Sequence, residues 1–396
     1  MKRKFAVVAV SLICASPVLA APYAFNARQD AMGGAGVSSA NYLSAPFYNP
    51  ALLTSYEESD DVGILFPVIG VELFDKDDLY NKGNDFSDSY DNYQSNAALA
   101  EQTLNQLKEL QGATGYVKAG AGAAVALPNA VLPAAFLFNT YADVAAFADV
   151  DSTDWTNNGN ALPTNENLIN SKVVAMGAQV TDFGISVAQA YETEDGYQWS
   201  AGVTPKIQKI EVLNYVANAA TTDFDNIDDD QYRHSKSTFN MDLGATAELD
   251  YGFSTGFAIK NIFKQSVDAP TVDGVQARYE LSPVPTASVS YKLDGLTLTG
   301  DLDLLAQKRF TKLSGTSNAF NASDDDLQMA ALGAEWDLFG WAQLRGGYRH
   351  DLKDNLGDAF TAGLGFSPFS VFHLDIAGIY AGSNEFGGVV QTSFTF

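Results

Sequence analysis

Three histidines are the side chains in this sequence with the widest scope for acid–base chemistry: His234, His350 and His373. His373 and Asp375 lie two residues apart in a strand-like segment, so they share one face and could form a polarised pair. The sequence places no serine or other third member of a catalytic set beside them. A hydrogen-bonded structural pair is therefore favoured, and the sequence predicts no enzyme.

Aspartates form the densest cluster of possible metal ligands: Asp223, Asp225, Asp228, Asp229 and Asp230. Such carboxylates could bind calcium, or bridge to lipopolysaccharide through divalent ions. The EF-hand spacing fails, because Asp228 occupies the glycine position and no bidentate glutamate follows. A solvated acidic loop is favoured. The Gly-Ala-Gly triplets at 34–36 and 120–122 lack the third glycine of a dinucleotide fingerprint, so neither a metal nor a cofactor is predicted.

The start of the chain has the form of a secretory signal peptide, residues 1–20. A basic stretch and a short apolar segment precede Val18-Leu19-Ala20, a small-x-small cleavage pattern. The mature chain is then expected to begin at Ala21. The only cysteine, Cys14, lies inside the signal peptide, so the mature protein is expected to have no disulfide and no thiol chemistry.

Charge and composition narrow the class of the exported chain. Asp and Glu number 48 against 23 Lys and Arg, a net charge of −25, which argues against nucleic acid as a partner. Aromatic residues make up 12% of the chain. After the signal peptide, no apolar stretch reaches the roughly 18 residues that a transmembrane helix needs. These features leave a secreted β-protein or an outer-membrane barrel.

Alternation of apolar and polar residues favours the barrel. In residues 295–307, Leu296, Leu298, Leu302 and Leu304 share one face, and the other face carries Thr297, Thr299, Asp301 and Asp303. The pattern recurs at 239–249, 253–264, 341–350 and 371–380. Many of these segments exceed the roughly 5–6 residues of a soluble strand. Short turns alternate with long, Asp-rich connections, as in a transmembrane antiparallel β-barrel of the outer membrane.

The predicted strands number fourteen: 61–72, 115–127, 131–147, 171–191, 196–216, 236–249, 251–264, 276–293, 295–309, 326–338, 341–350, 358–367, 370–381 and 384–396. An even number places both ends of the barrel, residues 61–396, on the periplasmic side. The long connections at 73–114, 148–170, 217–235, 265–275 and 310–325 then lie outside the cell. Splitting 171–191 and 196–216 at Thr181-Asp182 and Pro205 would give sixteen strands instead.

The first long loop, 73–114, contains a segment with helical spacing of apolar residues: Ala97, Ala100, Leu104, Leu107 and Leu110. A short amphipathic helix is therefore predicted. It could cap the barrel mouth or bind a partner. A helix that packs on its own loop is the favoured interpretation.

Residues 21–60 precede the first strand and have the pattern of neither helix nor strand. A fourteen-strand barrel has a lumen wider than side chains can fill, and irregular backbone at membrane depth is tolerated only inside protein or water. We therefore expect this segment to lie in the lumen as a hatch. Its tight turns would come from Gly33, Gly34 and Gly36, and its join to the wall from Asn49, Pro50 and Ala51.

Two motifs in the hatch carry a family resemblance. "AMGGAGVSSA" followed by "FYNPALLT" resembles the N-terminal hatch of the FadL-type outer-membrane transporters. The longer stretch "YAFNARQDAMGGAGVSSANYLSAPFYNPALL" is most similar to the conjugal-transfer TraF-like branch of that superfamily. The resemblance implies a fourteen-strand barrel, which is why fourteen strands are preferred over sixteen, and passive transport of hydrophobic compounds such as fatty acids. It does not itself establish the function.

Charged residues on the polar strand faces are predicted to line the lumen: Asp242, Glu248, Lys260, Lys264, Asp301, Asp303, Glu335, Arg345, Arg349, His373 and Asp375. Adjacent strands alternate in sign, so the wall can pair its own charges. These pairs could be a stabilising network around the hatch, or they could position the hatch in a gated path. At the chain end, Phe394 and Phe396 are predicted on the outer face, where a terminal aromatic would be the signal for the barrel-assembly machinery.

Three functions remain open from the sequence. The first is passive transport of small hydrophobic molecules, with a hydrophobic or detergent-like ligand in the lumen. The second is a general diffusion porin, which would need a less obstructed lumen. The third is an interaction or assembly protein at the cell surface, linked to plasmid transfer. In each case we expect a monomer in the outer membrane, in contact with its lipids and lipopolysaccharide.

Overall fold

A closed antiparallel barrel forms the wall in the computed structural model, which describes residues 24–194, 196–221, 226–316, 325–369 and 371–396. The predicted signal peptide, and Asp223 and Asp225 of the acidic cluster, lie outside these ranges. The barrel strands are β1 (Gly63–Phe74), β2 (Thr114–Leu127), β3 (Ala134–Asp149), β4 (Lys172–Glu192), β5 (Gln198–Asn218), β6 (Arg233–Glu248), β7 (Phe253–Lys260), β10 (Val284–Leu293), β11 (Leu296–Asp303), β13 (Met329–Asp337), β14 (Ala342–Asp351), β15 (Ala359–Phe366), β16 (Phe372–Gly382) and β17 (Glu385–Thr395). A separate three-stranded sheet, the extracellular sheet, consists of β8 (Gln265–Asp268), β9 (Gln276–Leu281) and β12 (Phe310–Ser314).

The predicted strand number of fourteen is confirmed, and the alternative of sixteen is wrong. β4 and β5 are each continuous, and Pro205 lies inside β5 without ending it. The barrel closes by pairing β1 with β17, where Ile64 is opposite Phe394. The backbone carbonyl of Phe396 accepts hydrogen bonds from the N–H groups of Asp61 (2.6 Å) and Val62 (3.2 Å), so the two ends of the wall are joined at the periplasmic rim.

Alternation along each strand separates a lipid face from a lumen face. On β16, Ile376 is 48% exposed, whereas its neighbour Asp375 is buried. On β11, Leu298 and Leu302 point outward and Thr297 and Thr299 point into the lumen. A strand with one apolar and one polar face satisfies the bilayer and the polar interior together.

The membrane depth of the lipid face can be tested by placing arginine at two positions along it. Ile376→Arg, in the middle of β16, is expected to lower the free energy of unfolding by about 2–4 kcal/mol. Leu293→Arg, at the periplasmic end of β10, has a matched exposure of 51% but is expected to cost only about 0–1 kcal/mol. Denaturant titration of the folded barrel in lipid vesicles measures both values. Equal penalties at the two positions would contradict the assigned membrane depth.

The extracellular sheet corrects two predicted loops and one predicted strand. The loops 265–275 and 310–325 contain β8 and β12. The predicted strand 276–293 is two strands, since Ser282-Pro283 separates β9 from β10 and only β10 belongs to the wall. Proline lacks the N–H that a continuing ladder needs. At this point the chain therefore passes from the extracellular sheet into the barrel wall.

The hatch contains two short helices, α1 (Ala27–Asp30) and α2 (Ala45–Tyr48). In the first long loop, α3 (Leu79–Tyr93) and α4 (Ala100–Glu109) form a helical hairpin. A one-turn helix, α5 (Thr153–Thr156), follows in the next long loop. The predicted amphipathic segment contains α4, and its Leu104 and Leu107 are buried against Phe86 and Tyr90 of α3. The helix α3 was not predicted, because its buried face includes glycine, serine and two tyrosines beside Leu79 and Phe86. In the described ranges, no helix has the length and apolar character needed to cross a membrane.

The long strands β4 and β5 extend beyond the membrane and are covered on both faces. Val174 and Val212, on the face that continues the lumen, pack with Tyr279 and Phe310 of the extracellular sheet. The opposite face, which includes Tyr215, packs with the helical hairpin. The extracellular end is thus a layered structure, and the extracellular sheet lies over the mouth of the barrel.

Candidate functional site

The hatch is held in shape by its own polar side chains. The Asn26 side chain accepts a hydrogen bond from the Gln29 N–H (3.3 Å) at the start of α1. Gly33 and Gly34 follow α1 with φ of +74° and +92°, which favours glycine. Asn49 accepts from the Ala51 N–H (3.0 Å) through Oδ1. This bond sets up the short 3-10 turn Pro50–Thr54.

Asn49 also joins the hatch to the wall. Its Nδ2 donates to the carbonyl of Val37 within the hatch (2.8 Å) and to the carbonyl of Ala245 on β6 (3.1 Å). The sequence predicts that Asn49 and Pro50 form the join with the first strand, and the structure corrects this prediction. Their contacts are with β5 and β6, across the lumen, rather than with the start of β1.

Glycines on the lumen face of the wall let the hatch approach closely. At each of them an added Cβ would lie less than 3.0 Å from a hatch atom: Gly63, Gly70, Gly122, Gly202, Gly244, Gly256, Gly333, Gly347 and Gly363. The neighbouring hatch atoms belong mostly to backbone or to packed rings, which cannot easily move. These glycines were not among the predicted site residues, because their role depends on what lies opposite them in the fold.

Polar wall side chains bind the hatch backbone directly. Asp301 accepts hydrogen bonds from the N–H groups of Gly36 (2.8 Å) and Val37 (3.0 Å). Thr361 Oγ1 accepts from the Gly33 N–H (2.9 Å) and donates to the Ala31 carbonyl (2.9 Å). Irregular backbone inside a barrel needs such partners, because each unpaired buried group costs free energy. The hatch is therefore a docked part of the structure.

An ion-pair network connects the hatch to three strands. Arg28 of α1 contacts Glu335 on β13 (2.7 Å), and Glu335 also contacts Arg345 on β14 (2.6 Å). Arg345 in turn contacts Asp375 on β16 (2.6 Å). The predicted pairing of Asp375 with His373 is wrong: His373 hydrogen-bonds the hydroxyls of Ser367 (2.8 Å) and Thr395 (3.0 Å) near the periplasmic rim.

A second charged group lies on β4 to β7. Lys206 bridges Asp182 (3.0 Å) and Asp242 (3.1 Å), and Asp242 also pairs with Lys260 (3.1 Å). The predicted neighbours Glu248 and Lys264 do not join this group. Glu248 is exposed at the periplasmic end of β6. Lys264 follows the end of β7, is 60% exposed, and pairs with Glu280 (2.7 Å).

A row of charges that the prediction mostly missed crosses the lumen face above the hatch. Glu72, Lys118 and Asp143 are direct register neighbours on β1, β2 and β3. Arg349 on β14, which was predicted to line the lumen, forms an ion pair with Glu72. Each of the three missed charges stands alone among small or apolar residues in the sequence, for example in "VELF" and "GYVKAG". A single charged residue in an otherwise apolar strand is the sequence signal that could have identified them.

The row ends at Arg309, which belongs to the extracellular part. Its guanidinium lies 3.5 Å from Asp143 and 5.4 Å from the centre of the Tyr116 ring. Tyr279 of the extracellular sheet donates a hydrogen bond to Asp143 (3.3 Å). On the other side of Arg309, burial raises the pKa of Asp325 to about 6, although the positive charge of Arg309 opposes that shift. Asp143 thus ties the extracellular sheet to the barrel wall.

A cavity of about 110 Å³ lies on the extracellular side of the hatch. Phe47 and Tyr48 of the hatch line it, together with Met329 of the wall and two lumen carboxylates, Asp301 and Asp303. Asp303 accepts hydrogen bonds from the Thr286 hydroxyl (2.7 Å) and from the Met329 N–H (3.2 Å). Within the described residues, no group of three or more His, Cys, Asp or Glu side chains could hold a metal ion.

A closed fourteen-strand wall, a docked N-terminal hatch and a cavity between them define the fold of a FadL-type β-barrel. The family described as "F plasmid transfer operon, TraF, protein" matches residues 46–303. The chain belongs to this family. The resemblance seen in the hatch motifs is thereby confirmed.

Solved structures share this fold at low sequence identity. The Ralstonia pickettii toluene transporter TbuX is 13% identical, with a TM-score of 0.57, over 94% of this chain and 99% of that chain. The Pseudomonas putida toluene transporter TodX is 10% identical, with a TM-score of 0.53, over 96% of this chain and 100% of that chain. Comparison with curated protein sequences gives no match.

Proposed function

We propose that this protein is a passive outer-membrane channel for small hydrophobic molecules. The observation that carries the proposal is the cavity between the docked hatch and the covered mouth, which has an apolar lining of Phe47, Met329 and Ala331 beside its charges. A channel for hydrophobic molecules needs such binding surface, because these molecules gain little from a water-filled pore. The fold that it shares with two toluene transporters supports the same assignment.

An interruption in the wall supports an exit route toward the bilayer. The register of β1 shifts by one residue between Leu65 and Val68, on both the β2 and the β17 side. Pro67 lies in this bulge and has no N–H to donate. The neighbouring lumen positions Gly63 and Gly70 contact the hatch. A shift of the hatch would therefore act on the wall next to this bulge, where the ladder is interrupted.

The protein would be exported through the cleaved signal peptide 1–20 and assembled as a monomer, with Phe396 read by the barrel-assembly machinery. Its apolar band would contact outer-membrane lipids, and its acidic loops would lie in the lipopolysaccharide layer. A general porin is disfavoured because the hatch occupies the lumen.

Dye entry and ion conductance test the proposal together. Cells with an intact lipopolysaccharide layer that express the protein are expected to take up the hydrophobic dye N-phenyl-1-naphthylamine faster than cells carrying an empty vector. The purified protein in planar bilayers should conduct few ions, since hatch and extracellular sheet both obstruct the lumen. High conductance without faster dye entry would indicate a diffusion porin. The absence of both effects would favour the alternative function, an interaction or assembly protein at the cell surface.

A further inference from the structure

An apolar groove of about 550 Å³, the lipid-facing groove, crosses the outer face of the wall from β2 to β6. Phe138, Phe183 and Ile207 are successive register neighbours on β3, β4 and β5, and all three line the groove. Ala123 and Pro205 also line it, and their small side chains leave room between the larger ones. The lipid-facing groove shares no lining residue with the cavity at the hatch.

Polar side chains lie directly above this groove, toward the cell exterior. Four successive register neighbours on β3, β4, β5 and β6 form this polar row: Thr140, Thr181, Lys209 and Ser237. Each lies two residues from an outward-facing apolar residue of its own strand, so it shares the outer face. The side chain of Lys209 is 53% exposed. The wall therefore presents an ammonium group and hydroxyl groups immediately above an apolar surface.

The polar row lies at the extracellular edge of the apolar band. Trp199 is at the periplasmic end of β5, where its ring stacks on that of Tyr191 with 4.4 Å between the ring centres. Lys209 follows ten residues later on the same strand. At about 3.4 Å per residue and a strand tilt of about 40°, ten residues rise roughly 26 Å. Because the apolar band of such a barrel is about 25 Å tall, Lys209 is level with the lipid headgroups of the outer leaflet.

A second cation lies further out on the same face. Arg233 of β6 is opposite Leu213 of β5, and Glu211 lies between Arg233 and Lys209. Glu211 contacts both Lys209 (2.7 Å) and Arg233 (3.4 Å), so these three side chains retain one positive charge. The Nε atom of Arg233 is buried and has no hydrogen-bond partner among the described residues. Leu213 packs with the helical hairpin, and the two cations therefore lie between the hairpin and the bilayer.

We propose that this surface binds a phosphorylated glycolipid of the outer leaflet, with a phosphate group at Lys209 and Arg233 and an acyl chain in the lipid-facing groove. Lysine and arginine both bind phosphate through charge-assisted hydrogen bonds. Beside them the same face carries Gln179, Thr181 and Ser237, uncharged polar side chains that suit the hydroxyl groups of a sugar. Inorganic phosphate would leave the groove unused, and a neutral lipid would leave the cations unused. The site is on the outer surface, so this inference does not depend on what passes through the lumen.

Native mass spectrometry of the full-length barrel tests the inference, with purified bisphosphorylated lipid A as the probe. We expect the wild type to retain one lipid A molecule when the detergent is removed. Lys209→Met removes the charge and should weaken binding at least fivefold, whereas Glu211→Gln should strengthen it at least twofold because both cations lose their internal partner. Lys236→Met is the matched control. Lys236 is also exposed on β6, but it shares a face with the buried Ile210, away from the lipid, so binding should not change.

Three other probes separate the parts of the ligand in the wild type. Dephosphorylated lipid A keeps the chains, glucosamine 1-phosphate keeps the phosphate, and phosphatidylglycerol has both but no sugar. Each should bind at least tenfold more weakly than lipid A. Equal binding of any of the three would overturn the inference, and so would equal lipid A binding by the wild type and Lys209→Met. The wild-type comparisons decide the case if the variants do not fold, and a negative result leaves the transport proposal untouched.

Discussion

Removing the hatch residues 24–56 is expected to turn an occluded barrel into a conducting one. The interstrand hydrogen bonds of the wall run between the strands and do not depend on the hatch, so the wall should still fold. The lumen, in contrast, would lose the segment that packs against the wall glycines of β1, β2, β5 to β7 and β13 to β15. Single-channel recordings in planar bilayers should show a large, steady conductance that the wild type lacks.

A milder variant serves as the graded control for this deletion. Asn49→Ala with Pro50→Gly removes the link from the hatch to the Ala245 carbonyl and loosens the following turn, but it leaves the Arg28 network intact. We expect brief openings and a higher rate of hydrophobic-dye entry. A deletion that stays electrically silent would assign the occlusion to the extracellular sheet and would contradict a plugging role of the hatch.

Gly347→Ala is expected to have the second largest effect, because it inserts one methyl group into the docking surface of the hatch. The added Cβ would overlap backbone atoms of Met32 and Gly33, which cannot move away without shifting the hatch. Overpacking of this kind costs about 1–3 kcal/mol, and occasionally more. Protease cleavage within the hatch should become faster, and channel openings should appear in bilayer recordings.

The adjacent glycine provides the matched control. Gly346 faces outward, and a Cβ there would only reach the Thr361 carbonyl at 3.8 Å. Gly346→Ala changes the same strand and the same backbone entropy, so it should be silent in both measurements. If the two variants behave alike, the effect would come from the strand itself, and the close fit between wall and hatch would not be what holds the lumen closed.

The wall of this barrel could be predicted from the sequence because it follows a local rule. Alternation along a strand depends only on neighbouring residues, so the outward Leu298 and the inward Thr299 could be assigned before the fold was known. The pairing of Asp242 with Lys260 followed from the same rule, since β6 and β7 are adjacent in the sequence. The extracellular sheet could not be predicted in this way, because β9 runs almost directly into β10 and the two strands look like one in the sequence.

The site was harder to predict from the sequence, because its contacts join distant parts of the chain. Glu335 and Arg345 are ten residues apart and could be paired from the sequence, but their shared partner Arg28 lies 307 residues from Glu335. Gly347 carries no side chain that could signal a role. Lys118 stands alone in an apolar strand, and the carboxylates beside it, Glu72 and Asp143, pair with arginines that lie far away in the sequence.

The span of the hatch contacts sets the order in which the molecule can be completed. Ala27 donates a hydrogen bond to Gln391, 364 residues later in the chain, and Gly33 donates to Thr361, 328 residues later. Contacts between such distant residues form late, because a long loop must close before they contribute any stability. The segment that is synthesised first must therefore wait until β15, β16 and β17 have closed the wall. The contacts of Ala27 and Gly33 are complete only when the wall is closed, and so the fully docked hatch is itself a sign that assembly has ended.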